Sequence, residues 1–221
     1  MASGEERIEF DAGKGPASAA FARPAKATAT LVIAHGAGAG MDHPFLAGFS
    51  DAMNNEGVAA MRFNFPYMEA GRRSPDPAPA AVAAWRAAFD VAVERSGNLP
   101  VFVGGKSYGG RIASMAVAEG MPAAGLVFLG YPLHAPGRPE KIRDEHLYTI
   151  SVPMLFVQGT GDAFADPKLL GRVLKKLGSK AELHSIEGGD HSFNVRGAKR
   201  DARATGASVA PVVTAFIREH T

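Results

Sequence analysis

Short apolar runs alternate with amphipathic helical stripes along most of this chain, and that rhythm constrains the fold more than any other feature. The runs are LVIA (31–34), VAAMRFNF (58–65), VFVG (101–104), LVFLGY (126–131), MLFVQG (154–159) and LHSIEG (183–188). They are bounded by Gly, Asn or Pro and read as strands buried on both faces. Between them, Phe45, Phe49, Ala52 and Met53 fall at i, i+4, i+7 and i+8, as do Trp85, Phe89, Ala92 and Val93. Leu170, Val173, Leu174 and Leu177 form another stripe, and Val209, Val212, Val213, Phe216 and Ile217 a last one. Strands alternating with helices predict an α/β fold, with a mainly parallel central sheet and helices on both faces. A length of 221 residues suits one such domain over 1–221, with edge strands and a loop in 1–27. The stretch AGKGPASAAFARPAKATA reads as a loop or early turn between those edge strands.

Two loops carry further information. PYMEAGRRSPDPAP (66–79) holds Pro66, Pro75, Pro77 and Pro79, which predict a long loop without regular helix. It leaves the carboxyl end of a strand, where open α/β sheets bind ligands, so it is a candidate wall of a site. HAPGRPEKIRDEHLYTIS, before the run at 154–159, is too short and polar for a helical lid, so no large cap domain is expected.

Charge and composition narrow the partners. A net charge of +2, with Arg72-Arg73, Lys175-Lys176 and Lys199-Arg200 scattered, signals neither nucleic acid nor an anionic membrane. The absence of cysteine excludes disulfides and thiolate metal sites and fits the cytoplasm. MASGEERIEF lacks the apolar stretch of a signal peptide, and no run is long enough to span a bilayer. A cytoplasmic protein acting on a small molecule is the expectation.

VFVGGKSYGG (101–110) admits two chemistries. Gly105-Lys106-Ser107 resembles the end of a phosphate-binding loop, but that loop needs a glycine where Pro100 stands. Its other residues would be Val-Phe-Val, which belong in a strand. Nor is HGAGAGMDH a dinucleotide fingerprint, since Met41 or His43 occupies the third glycine position. Read as G-x-S-x-G, the same run puts Ser107 on a sharp strand-to-helix turn, with Gly105 and Gly109 at the close approaches and Gly110 giving further room.

A serine hydroxyl needs a base, and the base an orienting acid. Asp162, in the turn after run 154–159, is the candidate acid, whereas Asp166 before Pro167 reads as a helix cap. His191, in the loop after the last strand run, is the candidate base. Asp190 beside it helps to shape the loop. The backbone N–H groups of Tyr108 and Ala37 are the candidate oxyanion donors, with Gly38 second to Ala37. His35 reads as an anchor for that loop. A metal site from His35, Asp42 and His43 matches no known spacing, and no cofactor is called for.

The blocks AHGAGAGMDHPF, RFNFPYMEAGRRSPDPAP, GGKSYGGRIAS, LGYPLHAPGRPEKIRDEHL, PMLFVQGTGDAF and GGDHSF resemble the α/β-hydrolase family, of the small dienelactone-hydrolase-like kind. They are closest to a predicted-hydrolase group that includes testis-expressed protein 30. The resemblance implies Ser107, Asp162 and His191 as catalytic triad. Dienelactone hydrolases proper use a cysteine nucleophile, which this chain lacks, so their substrate is not carried over. The expected activity is a serine hydrolase of carboxylesterase type acting on an ester or related acyl bond; the alternative is a non-catalytic scaffold of the same fold. Gly38, Phe45, Tyr67, Met68, Arg72, Leu133, Phe164 and Phe193 are the expected substrate-pocket residues, with Arg72 or Arg73 positioned for a substrate carboxylate.

Overall fold

The computed structural model describes residues 4–198 and 200–221, so Lys199 and the first three residues of MASGEERIEF lie outside the described residues. The strands are β1 (Glu6–Asp11), β2 (Pro16–Ala22), β3 (Ala29–Ala34), β4 (Val58–Phe63), β5 (Val101–Lys106), β6 (Leu126–Leu129), β7 (Met154–Gly159) and β8 (Ala181–Ile186). They form one sheet of order β1-β2-β4-β3-β5-β6-β7-β8. β1 and β2 are antiparallel, β2 joins β4 antiparallel, and all pairs from β4 to β8 are parallel.

The helices are α1 (Pro44–Asn55), α2 (Pro66–Glu69), α3 (Ala78–Ser96), α4 (Tyr108–Ala118), α5 (Pro167–Leu177) and α6 (Ala202–Glu219). Successive strand residues point to opposite faces, so the continuous apolar runs feed two cores. Leu31, Ile33, Phe102 and Leu155 pack under α1 and α6 through Phe49, Met53, Val213 and Ile217. Val32, Val103, Phe128 and Phe156 pack on the other face under Trp85, Ile112 and Leu170. Among the described residues there is no large cap domain: between β6 and β7 the regular structure is a single 3-10 turn, Glu145–Thr149.

Three expectations need correction. Part of the Ala-rich stretch is not loop but β2, whose Ala19, Ala20 and Phe21 are buried in the sheet. The proline-rich segment contains α2 and the start of α3, because Pro66 and Pro79 occupy first-turn positions where a missing N–H costs nothing. The last strand is not buried on both faces. β8 pairs with β7 alone at the sheet edge, and Glu182, Leu183, His184 and Ser185 are exposed.

One helix crossing shapes the functional end of the sheet. A Cβ at Gly206 of α6 would lie 1.9 Å from the Phe45 carbonyl oxygen of α1, and one at Gly48 would lie 2.2 Å from that of Arg203. Only glycine permits such an approach. It brings the N-terminal turns of α1 and α6 together beside the ends of β3 and β5.

Candidate active site

Ser107 sits between β5 and α4 with φ 50° and ψ −113°, a backbone region that costs a non-glycine residue ~1–3 kcal/mol. The flanking glycines make the turn possible. A Cβ at Gly105 would meet the Ala34 carbonyl oxygen at 2.3 Å, one at Gly109 the same oxygen at 2.5 Å, and one at Gly110 the Gly105 oxygen at 2.7 Å. The close approach is therefore made as much with the end of β3 as between β5 and α4. Buried Trp85 donates its indole N–H to the Gly109 carbonyl at 3.0 Å and holds the start of α4 in place.

Ser107, His191 and Asp162 stand in one hydrogen-bonded line. Ser107 Oγ lies 2.8 Å from His191 Nε2, and His191 Nδ1 lies 2.7 Å from Asp162 Oδ2. Asp162 is buried, and its Oδ1 accepts from the Phe164 N–H at 2.8 Å. Gln158 donates to Oδ2 at 2.5 Å and accepts from the Tyr131 N–H at 2.8 Å. An ionised carboxylate only accepts, so it fixes the imidazole proton on Nδ1 and leaves Nε2 as the acceptor for the serine proton. The Phe164 ring lies over His191 with centroids 4.2 Å apart.

The loop bearing His191 is shaped from within. Asp190 Oδ1 accepts from the Ser192 and Asn194 N–H groups at 2.8 and 2.9 Å, a loop-forming role. Phe193 takes φ 64°, buries its ring and packs on Phe45 at 5.8 Å. Lys106 donates from Nζ to the His191 carbonyl at 2.6 Å. Burial pushes the Lys106 ammonium down to about 8, against the pull of Asp162 and Asp190.

The β3 exit is equally organised. His35 is buried, its Nδ1 2.8 Å from the Gly36 carbonyl and its Nε2 accepting from the Phe65 N–H at 3.2 Å. This pairing fits a neutral ring, and burial pushes its pKa down to about 4. Asp42 pairs with Arg7 and Arg62, while His43 caps α1 by accepting from the Phe45 N–H. Ala37 is exposed on the cleft, and the Tyr108 N–H opens α4, where the first amides lack an intrahelical acceptor. The Tyr108 ring turns away to pack on Phe65 and Tyr67.

A cleft of about 490 Å³ opens over Ser107 and His191. Of the expected pocket residues, Phe45 and Phe164 line it and the others do not. Gly38 is carried outward by a turn at φ 74°. Tyr67 is buried beneath the β3 exit against His35, and Leu133 is buried in the core. Met68 packs partly buried on that same core, and Arg72 is spent on an ion pair with Asp76 at 2.6 Å. Phe193 lies behind the cleft wall, among the residues of a neighbouring cavity. The walls that sequence reasoning missed are His43 and Leu46 of the α1 turn and Ala202 and Thr205 of α6, together with Lys106, Ser192 and Asn194. Among missed residues, Gln158 left a signal, as the lone polar side chain of an apolar strand run.

The alpha/beta hydrolase domain family matches this chain over residues 27–218. A dienelactone hydrolase from Anabaena variabilis superposes with a TM-score of 0.78 at 19% identity, covering 99% of each chain. A serine hydrolase described as lacking a lid, from Xanthomonas campestris, gives 0.77 at 19% identity, over 99% of this chain and 96% of its own. A serine hydrolase homologue from Coxiella burnetii gives 0.75 at 16% identity, covering 98% of both. At these identities the solved structures show the shared fold.

Proposed function

The chain belongs to the alpha/beta hydrolase domain family, and from that premise we propose that it is a serine hydrolase cleaving an ester or related acyl bond through an acyl-enzyme on Ser107. The observation that carries this reading is the line from Ser107 Oγ through His191 to buried Asp162, open to a cleft at its serine end. In the first half-reaction Ser107 Oγ bonds to the acyl carbon while its proton passes to His191 Nε2. The carbonyl electron pair moves onto oxygen, where the Ala37 and Tyr108 N–H groups would receive it. When the tetrahedral adduct collapses, the bond to the alcohol oxygen breaks and His191 returns the proton to it. Water then repeats the sequence and frees the acid.

The strain at Ser107 supports an enzyme over a scaffold, since a scaffold gains nothing from holding a serine at φ 50°. The finer placement we propose is the small dienelactone-hydrolase-like group that includes testis-expressed protein 30. A cytoplasmic setting fits a chain without cysteine. Among the described residues no helix is long and apolar enough to cross a membrane.

The cleft favours short acyl groups. Phe45, Leu46 and Phe164 give it apolar wall, and the α1–α6 crossing closes it behind Leu46 and Thr205. Each added methylene gains ~0.8 kcal/mol only while it finds apolar surface to bury. The test is kcat/KM for p-nitrophenyl esters from acetate to palmitate, with Ser107→Ala as control. The expected profile rises over the first few carbons and then levels or falls, with no jump when substrate aggregates. A rate climbing to palmitate would sink the short-acyl reading, and turnover that survives in Ser107→Ala would sink the serine mechanism.

A further inference from the structure

The lysine beside the proposed nucleophile is not required by the elbow, whose spatial demands fall on Gly105 and Gly109. Yet Lys106 is built into its surroundings. Its Nζ donates to the His191 backbone carbonyl at 2.6 Å and stands 5.3 Å from the centroid of the Phe193 ring. The end of β6 makes room for it: a Cβ at Gly130 would lie 3.1 Å from Nζ, tighter than ordinary contact. The other bonds that hold the turn before His191 run to Thr160 and Gly161 or stay within the loop. Lys106 ties the strand of Ser107 to the backbone of the residue that meets Ser107 Oγ.

Resting on the serine-hydrolase reading, we propose that Lys106 is a positioning residue for His191, whose ammonium holds the base's own carbonyl and so aims its imidazole at Ser107. The charges around it fit this role. Asp162 faces Lys106 from the turn after β7, and Asp190 and His191 face it from the loop after β8. Just past β6 it meets Gly130, and at the β3 exit Gly36 lies alongside while His35 turns towards Phe65. With Lys106 charged, its ammonium balances the Asp162 carboxylate at rest. During reaction the imidazolium and oxyanion appear as a second balanced pair. An ammonium also makes a charge-assisted bond to the carbonyl, roughly twice as strong as a neutral amine makes. Because burial holds this ammonium down to about 8, the grip weakens as pH rises through that region.

The test replaces the ammonium and then restores it. Lys106→Met keeps the length and removes the donor. It is expected to lower kcat for p-nitrophenyl acetate about 10- to 100-fold, the scale of a misplacement of about 1 Å, with KM within about two-fold. The wild type is expected to lose kcat above about pH 8, and the Met variant to show no such decline. The native chain has no cysteine, so Lys106→Cys carries a unique thiol. Alkylating it with bromoethylamine rebuilds an ammonium side chain and is expected to restore most of kcat and the alkaline decline. Iodoacetamide, which adds no charge, should restore neither. Wild-type kcat and pH profile in Lys106→Met, or equal rescue by both reagents, would overturn the proposal.

A second measurement separates this inference from the reaction it rests on. The His191 ring resonances, followed by NMR from pH 6 to 10, should show an inflection near 8 that persists in Ser107→Ala and vanishes in Lys106→Met. If no substrate is turned over but that inflection is seen, the hydrolase reading fails while the Lys106–His191 coupling stands. If turnover depends on Ser107 but the inflection is missing, the lysine proposal fails alone.

Discussion

Among the described residues two serine–histidine pairs have the same separation, and only one of them has the makings of a site. Ser107 Oγ and His191 Nε2 are 2.8 Å apart, and so are Ser114 Oγ and His146 Nε2. Ser114 lies inside α4 with ordinary helical backbone, fully buried, and its Oγ is 2.8 Å from the Arg111 carbonyl as well. One hydroxyl proton cannot serve both acceptors. The arrangement that satisfies both contacts sends it to Arg111 and lets His146 donate its own Nε2 proton to Ser114. The direction is the reverse of that at Ser107, where Asp162 fixes the proton on Nδ1. Among the described residues His146 makes no hydrogen bond to a carboxylate; the nearby Asp144 accepts from the Tyr148 hydroxyl instead. A short Ser–His contact is thus common chemistry; the backbone that exposes the serine and the acid behind the histidine distinguish the pair at the cleft.

The largest effect is expected from the serines themselves. Ser107→Ala should lower kcat by on the order of 10⁴-fold or more, since groups that act as a unit fail together. Ser114→Ala should leave kcat within about two-fold and cost ~1–3 kcal/mol of stability, because His146 loses a buried partner. Rates with p-nitrophenyl acetate and denaturant midpoints measure both. A loss of turnover in Ser114→Ala at unchanged stability would make the buried pair functional and break the contrast.

The acids come next. Asp162→Asn should lower kcat by about 10³- to 10⁴-fold, because the amide no longer fixes the tautomer. Asp144→Asn and Asp166→Asn should change it by less than about five-fold, since Asp144 meets Tyr148 and Asp166 caps α5 through the Lys168 and Leu169 N–H groups, which Asn also does well. If Asp166→Asn proved the damaging change, the acid would have to be reassigned.

Much of this was legible in the sequence because the signals are local. The six strand runs and the long helical stripes all have counterparts, and the residues named as candidate nucleophile, acid and base, Ser107, Asp162 and His191, stand in one hydrogen-bonded line. The pocket walls were not legible, for a different reason at each place. An apolar side chain near a strand end can turn either to the cleft or to the core, and Tyr67 and Leu133 are drawn into the core. Leu46 and Thr205 reach the cleft only because Gly48 and Gly206 let α1 and α6 cross so closely, a pairing of segments about 160 residues apart that no local pattern announces. Lys106 was visible as part of a rejected phosphate-loop motif. Its actual partner, a backbone carbonyl far along the chain, was not.

The smallest effect sharpens the comparison through pH. Burial, together with the nearby Arg111, pushes His146 down to about 4, and burial alone does the same to His35. In the unfolded chain both titrate at ~6.5. Between those values the unfolded state binds more protons than the native one, so stability is fully present above about 6.5 and falls as pH drops towards 4. Each proton taken up on unfolding contributes a slope of about 1.4 kcal/mol per pH unit. Replacing His146 with Gln retains an amide donor for Ser114 and removes one of these protons. Unfolding of His146→Gln near pH 5 should therefore take up close to one proton fewer than the wild type, measured as the pH dependence of the denaturant midpoint. At pH 7 its kcat should match the wild type. An unchanged acid slope would mean that His146 is already charged in the native protein. A fall in kcat at pH 7 would mean that the buried pair reaches the cleft through α4, the helix it shares with the residue following Ser107.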